Sequence, residues 1–337
     1  MALDGAAFSP KEFGLAIQAE TTIGTKIVSG MTRVNVDSVE MPGLNLTQVM
    51  DARSGSSGRV ADVDDVFIDQ KGVVKEISFS GVLTAATAAL LIQNCVGKED
   101  ASDVVTIGAD YTPPILETGD NSSITIADTI TIAVLNPNTG SNANMIFPGC
   151  VISSLSITGD MGNESGRLMF SATARTGHIV EFNVAAPTVS VAYGTSFYSL
   201  ATLGSGDAKV IAGAADPVVQ SFTLTVDNPS EFVGQNDANG NPDAIVRAIP
   251  EISVTLDATI KYDANTSTLM NTMATGANAN FYMGTHATMG DGSTTFAMEA
   301  ANARITGLSY NEANAMMLDV SSKCVASGST ALFAIHY

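Results

Sequence analysis

Three histidines, His178, His286 and His336, and three cysteines, Cys95, Cys150 and Cys324, are the side chains in this 337-residue chain best suited to hold a metal or attack a carbonyl. Their spacing supports neither. The histidines form no HExxH and no i, i+4 pair, the arrangement that brings two imidazoles to one helix face. The cysteines fall in no CxxC or Cys/His zinc spacing and are too few and too scattered for a disulfide framework, so they are read as buried free thiols. A GxxxxGK[ST] phosphate loop, a GxSxG elbow and a GxGxxG between strand and helix are all missing. No enzymatic activity, cofactor or metal is expected.

Two oxygen-rich stretches come nearest to a cation site. In NDANGNPD (Asn236 to Asp243), Asp237, Asn239, Asn241 and Asp243 alternate around Gly240. A calcium loop of the EF-hand type needs glycine at position six and glutamate at twelve; counted from Asp237, glycine is fourth and Ala248 twelfth, which favours a polar turn. ADVDD (Ala61 to Asp65) reads as a solvated acidic loop rather than a metal cluster.

The charge balance narrows the partners. Fifteen Lys and Arg against 34 Asp and Glu give a formal charge of -19, which disfavours holding nucleic acid by phosphate neutralisation. It fits either an ordinary solvated surface or one past which DNA slides without sticking. The first residues, MALDGAAFSPKEFG, carry no basic segment leading into an apolar one, and no run reaches the ~18 apolar residues of a membrane span. These features predict folding in a reducing cytosol and no membrane partner.

The elements that would carry any function are mostly strands, because Thr, Val, Ile and Ser alternate in short phrases broken by Gly, Asn, Asp and Pro. SLSITGDMGNESGRLMFSATAR predicts a long hairpin turning at Gly159 to Gly166, and ITGLSYNEANAMMLDVSSKC a second one turning at Asn311 to Ala315 and resuming through Met317, Leu318 and Val320. TITIAVL (Thr129 to Leu135) is strand-like. Helices are expected at Thr84 to Gly97, with threonine as cap and glycine as stop, and at Thr266 to Gly276, capped by Thr266 or Ser267 with Leu269, Met270 and Met273 on one face. A short helix near Pro229 to Phe232 is weakly signalled.

The chain also repeats itself. EISFSGVLTAATAALLIQNCVG (Glu76 to Gly97) is answered by EISVTLDATIKYDANTSTLMNTMATG (Glu251 to Gly276), and VISSLSI (Val151 to Ile157) by RITGLSY (Arg304 to Tyr310). Two tandem modules follow, residues 1–201 and 202–337, with an insertion, or a long pair of strands with loops, around 98–144 and a boundary near Thr202 to Lys209. Each is expected to be a β-sandwich or barrel with long hairpins and one flanking short helix.

FGLAIQAETTIGTK (Phe13 to Lys26), with its Glu20-Thr21-Thr22-Ile23-Gly24-Thr25 phrase, resembles the start of many tail tube proteins of tailed bacteriophages. PGCVISSLSITGDMGNESGRLMFSATARTG (Pro148 to Gly177) is similar to that family's long strand, glycine turn and Ser/Thr-rich return; Leu90, Leu91 and Gly97 sit between the two in matching order. Residues 98–144 and 182–215 depart from the pattern. The resemblance implies a major tail tube subunit whose hairpins join those of its neighbours into a barrel lining a ring. Rings stack into the conduit for DNA ejection, in a virion tail assembled in the host cytoplasm. Implied partners are further copies of the chain, a tape measure protein, tail terminator, distal tail or baseplate proteins, and a sheath if the tail contracts. DNA transits without specific binding. A capsid decoration or baseplate protein, or a secreted adhesin or pilus-like β protein, is the alternative.

With two modules per chain, a trimer with pseudo-sixfold symmetry is favoured over a hexamer. Ser154, Ser156, Ser171, Thr173, Leu308 and Leu318 mark hairpins expected in inter-subunit sheets, since long alternating strands otherwise leave unpaired edges. In SVTLDATIKY, Ser253, Thr255 and Asp257 share one face and Val254, Leu256 and Ala258 the other. The Asp257 face, with Ser78 and Ser80 in the matching strand, is expected to line the lumen, although an outer solvent face fits the same pattern.

Overall fold

A computed structural model describes residues 12–40, 47–50, 66–69, 74–97, 104–107, 115–117, 129–137, 143–163, 166–203, 209–234, 241–247, 250–287, 289, 294–312, 316–328 and 330–337. Short strands come first: β1 (Gly14–Ala19), β2 (Met31–Val34), β3 (Val36–Glu40), β4 (Thr47–Met50) and β5 (Val66–Asp69). β6 (Lys75–Val82) runs into helix α1 (Ala85–Cys95), and β7 (Val104–Ile107), β8 (Ile115–Glu117) and β9 (Ile130–Leu135) lead to the long β10 (Asn144–Asp160). β11 (Leu168–Thr176), β12 (Glu181–Val184), β13 (Val189–Val191), β14 (Lys209–Ile211) and β15 (Ala214–Ala215) follow. Next are β16 (Val219–Asp227), β17 (Ser230–Val233), β18 (Ala244–Arg247), β19 (Ser253–Lys261) and helix α2 (Leu269–Thr275). The chain closes with β20 (Phe281–Gly284), β21 (Ala297–Ala300), β22 (Ala303–Asn311), β23 (Met317–Cys324) and β24 (Phe333–His336). The fold is mainly β.

Eight strands form one antiparallel run in the order β3-β6-β11-β10-β16-β19-β23-β22. A second run, β13-β2-β1-β9-β10, shares β10 with the first, and a third, β15-β14-β20-β21-β24-β7, is separate. Strict alternation along β11, β19, β23 and, from Ser221 on, β16 puts one side-chain set in the core and the other outside it. Leu155, Phe170, Leu224, Leu256 and Val320 from the eight-stranded run join Leu91 and Ile92 of α1 in one continuous core.

β10 belongs to two runs because it turns a corner at Pro148-Gly149. Its first half pairs with β9, its register shifts between Phe147 and Cys150, and its second half pairs with β11 and β16. Buried Glu20 pins this corner. One carboxylate oxygen accepts from Gly149 N (2.9 Å) and Thr131 Oγ1 (2.7 Å), the other from Gly24 N (2.9 Å) and Thr129 Oγ1 (2.7 Å). Burial raises the Glu20 carboxyl above its usual range, against the four hydrogen bonds that lower it. Gly24 and Gly149 both have positive φ, and a Cβ on either would strike the His178 ring at 2.0 and 2.1 Å.

Pairing registers repeat along the eight-stranded run. In β10–β11 the register shifts between Ile152 and Ser154, and in β22–β23 between Ile305 and Gly307, leaving Ser153 and Thr306 as the extra residues. In β3–β6 it shifts between Val36 and Ser38, and in β16–β19 between Val219 and Ser221. Matching the bulges makes Ser38 equivalent to Ser221, Ser78 to Asp257, Leu155 to Leu308, Ile157 to Tyr310 and Thr173 to Ser321. By this matching VISSLSI and RITGLSY fall in the same register, whereas Glu76 corresponds to Thr255, four residues from Glu251. Four is even, so each residue keeps its face.

Three expectations need correction. Residues 229–232 enter strand β17, not a helix. α2 begins after Thr268, which makes no side-chain cap, because Thr266 instead bonds the Asp263 turn and the Lys261 carbonyl. Segment 98–144 is no self-contained insertion among its described residues: β7 pairs with β24, β8 with β18, and β9 lies between β1 and β10. α1 runs as expected from its Thr84 cap, and Gly276 ends α2 in the left-handed region. The two halves meet through β10–β16 and share one core, so no domain gap separates them.

Candidate assembly edges and a hydroxyl-lined face

The side of the eight-stranded run turned away from the core is covered with hydroxyls. Ser38 pairs with Ser80 (2.9 Å), Ser78 with Thr173 (3.2 Å), Ser156 with Thr225 (2.7 Å), and Ser154 donates to Asp227 (2.6 Å). Thr259 donates to Asp319 (2.7 Å) and Ser321 to Asp257. Cross-strand pairs of this kind stiffen a sheet face while leaving it polar. Ser78, Ser80, Ser253, Thr255 and Asp257 all lie on this face, as do Ser154, Ser156, Ser171 and Thr173.

Charge on the face is acidic away from its margin. Asp160, Asp227, Asp257 and Asp319 project from it, whereas Arg175 lies 3.8 Å from Glu76 and Lys323 2.9 Å from Glu251. Exposed Lys261 and Arg304 also lie on this face, and its cations all stand near the strand ends. A shallow depression of about 330 Å³ lies over Asp257, Asp319, Asn311 and Thr223.

The opposite side of the sheet carries α1 across the central joint. Asn94 Oδ1 accepts from Ile152 N (2.5 Å) on β10, and Asn228 Nδ2, just past β16, donates to the Cys95 carbonyl (2.8 Å). Fully buried Arg247 donates from Nη1 to the Asn94 carbonyl (2.5 Å) and from Nη2 to that of Ile152 (2.6 Å), placing a cation at the negative end of the helix.

The edges are different. β3 and β22 each pair on one side only among the described residues. Pairing within the chain divides the hairpin strands expected in inter-subunit sheets into interior and edge strands. β10, β11 and β23, carrying Ser154, Ser156, Ser171, Thr173 and Leu318, are paired on both sides within the chain, and Leu308 alone of the six lies on an edge strand.

Core-side positions at these edges are uncovered. Ile157 is 1% exposed, while its equivalent Tyr310 is 47% exposed. Leu155 is buried and Leu308 half-buried; Phe222 is buried and its equivalent Val39 half-buried. α2 packs on β22, yet buries only Leu269, leaving Met270 and Met273 exposed.

No known protein-family model matches the chain, and no curated protein matches its sequence.

The remaining candidates are quiet. Cys95, Cys150 and Cys324 are buried free thiols, with Cys95 and Cys324 pushed up to about 12 by burial. Asn241 Oδ1 accepts from the Ile179 amide; Asn236 to Gly240 and Ala61 to Asp65 lie outside the described residues. No His/Cys/Asp/Glu group among the described residues is placed to hold a metal, and no described helix is long and apolar enough to cross a membrane. The Glu20 lock and the Arg247 helix clamp were not anticipated. The Glu20 to Gly24 spacing could have flagged part of the first, whose hydroxyls come from distant Thr129 and Thr131; nothing around Arg247 signals the second.

Proposed function

We propose that the chain is a structural subunit of a phage tail tube, with each half of the eight-stranded run a copy of one tube module. The quartets β3-β6-β11-β10 and β16-β19-β23-β22 share strand order, direction and both bulge positions. The observation carrying the reading is the contrast at the joints: apolar positions buried where quartet meets quartet inside the chain are half-buried or exposed where the run ends. Such an end calls for another copy of the same chain.

Chains joined in this way give a head-to-tail interface, and a curvature that completes a full turn closes it into a ring. Three chains supply 24 strands, and at ~4.8 Å per strand the backbone circle is roughly 37 Å across before tilt widens it, leaving roughly 27 Å inside a side-chain layer. Two chains would leave roughly 14 Å by the same spacing, too little for a double helix. The hydroxyl face turns inward, because the other side is occupied by α1 and the core. Hydroxyls and carboxylates without a cation array let a polyanion pass without trapping its phosphates.

Rings stack into the tube of a virion tail, with tape measure, terminator and baseplate proteins at its ends. The test is negative-stain electron microscopy of the purified chain. Open-ended tubes or stackable rings support the reading; closed oligomers alone favour a decoration or baseplate protein, and a persistent monomer contradicts it.

A further inference from the structure

The chain contains a template for its own contact with the next copy. At the internal joint, β10 and β16 pair antiparallel with Thr158 opposite Thr223 and Gly159 opposite Phe222. The bulge-matched equivalences turn Thr158 into Asn311, Thr223 into Glu40 and Phe222 into Val39. We propose that β22 of one copy pairs with β3 of the next in the register that sets Asn311 opposite Glu40 and Glu312 opposite Val39. This rests on the ring reading above and adds the register and partner residues to it.

Three observations favour this register. β22 and β3 are the two ends of one antiparallel run, so joining them head to tail preserves the alternation of directions found at every other joint of that run. The register keeps Asn311 and Glu40 on the hydroxyl face, as Thr158 and Thr223 are at the internal joint. There the Asn311 amide, which donates to Asp319 (3.2 Å), comes beside the Glu40 carboxylate. On the far side, α2 packs on β22 with Met270 and Met273 exposed, as α1 packs on β10 beside the internal joint.

Cysteine pairing tests it, since directly opposed residues stand about 4.5–5.5 Å apart at Cα, within disulfide reach. The native thiols are buried and stay silent. Oxidised assemblies of Glu40→Cys/Asn311→Cys should give a covalent ladder ending at three chains. Ser38→Cys/Asn311→Cys, two residues out of register, should give none. Thr158→Cys/Thr223→Cys should close within a chain and verify the geometry. As a second measurement, Asn311→Asp should weaken assembly by like charge and Glu40→Lys should restore it.

If rings form but the Ser38 pair links instead, or Asn311→Cys alone links symmetrically, the register is overturned while the ring stands. If the wild-type chain forms no rings, the functional reading fails first. A ladder running past three to six overturns the three-chain closure.

Discussion

Ile157 and Tyr310 occupy the same position in the two halves of one sheet, yet the first is 1% and the second 47% exposed. The difference lies in what comes next along the sheet. Beyond Ile157 stands Leu224 on β16; beyond Tyr310 the chain offers no further strand among the described residues.

The pair should therefore respond to substitution in opposite ways. Ile157→Ala should lower the stability of the monomer by about 2–5 kcal/mol, the cost of a core truncation. Tyr310→Ser gives up an edge contact with Tyr262 (ring centroids 5.6 Å apart), so urea unfolding of the monomer should shift by roughly 1 kcal/mol or less. Its effect should appear as lost assembly in sedimentation. Equal destabilisation of the monomer by both would show that Tyr310 is already part of a finished core.

Proline at Ser171 separates an edge from an interior. Because β11 is flanked by β6 and β10 inside the chain, Ser171→Pro should break a central ladder and cost about 3 kcal/mol or more, unfolding the sheet instead of merely blocking assembly. Circular dichroism of the isolated variant reads this directly. A fully folded variant that fails only to assemble would return β11 to the periphery.

Glu20 should make stability pH-dependent. Its folded pKa is raised by burial, so between the ordinary and the raised value the folded chain binds more protons than the unfolded chain. Its contribution is full below the ordinary carboxylate range and is lost as pH rises through the raised folded value. Glu20→Gln should flatten that slope in denaturant titrations at several pH values. It should also lower stability by about 1–3 kcal/mol, because the amide NH2 would face the N–H of Gly24 or Gly149. An unchanged slope would place the titration elsewhere.

Asp257 tests the direction of the hydroxyl face. Asp257→Lys should leave assembly intact and slow DNA passage at low salt, with the effect fading as salt screens the new phosphate contacts. Ejection kinetics unchanged at low salt, with the variant present in the tube, would put this face outside the channel.

Strand alternation made much of this legible in advance. Ser253, Thr255 and Asp257 alternate strictly with Val254, Leu256 and Ala258, so their shared face followed from a period of two. RITGLSY could be matched to VISSLSI because both strands keep Leu and Ser around the same bulge. The EIS match misled by four residues, since identical letters at a strand's start outweighed the bulge, which leaves no mark in sequence. Edge and interior strands were also indistinguishable. β11 and β22 alternate alike, and only long-range pairing shows that Ser171 has neighbours on both sides while Leu308 has one. The Arg247 clamp joins residues about 150 positions apart, beyond any local pattern.

A reconstruction of the assembled material by electron cryomicroscopy bears most directly on the central claim. We expect threefold rings of 24 strands, with eight strands from each chain, Asp257 facing the lumen and β22 of one copy against β3 of the next. Sixfold rings in which each chain contributes four strands, or a barrel with the hydroxyl face turned outward, would contradict it.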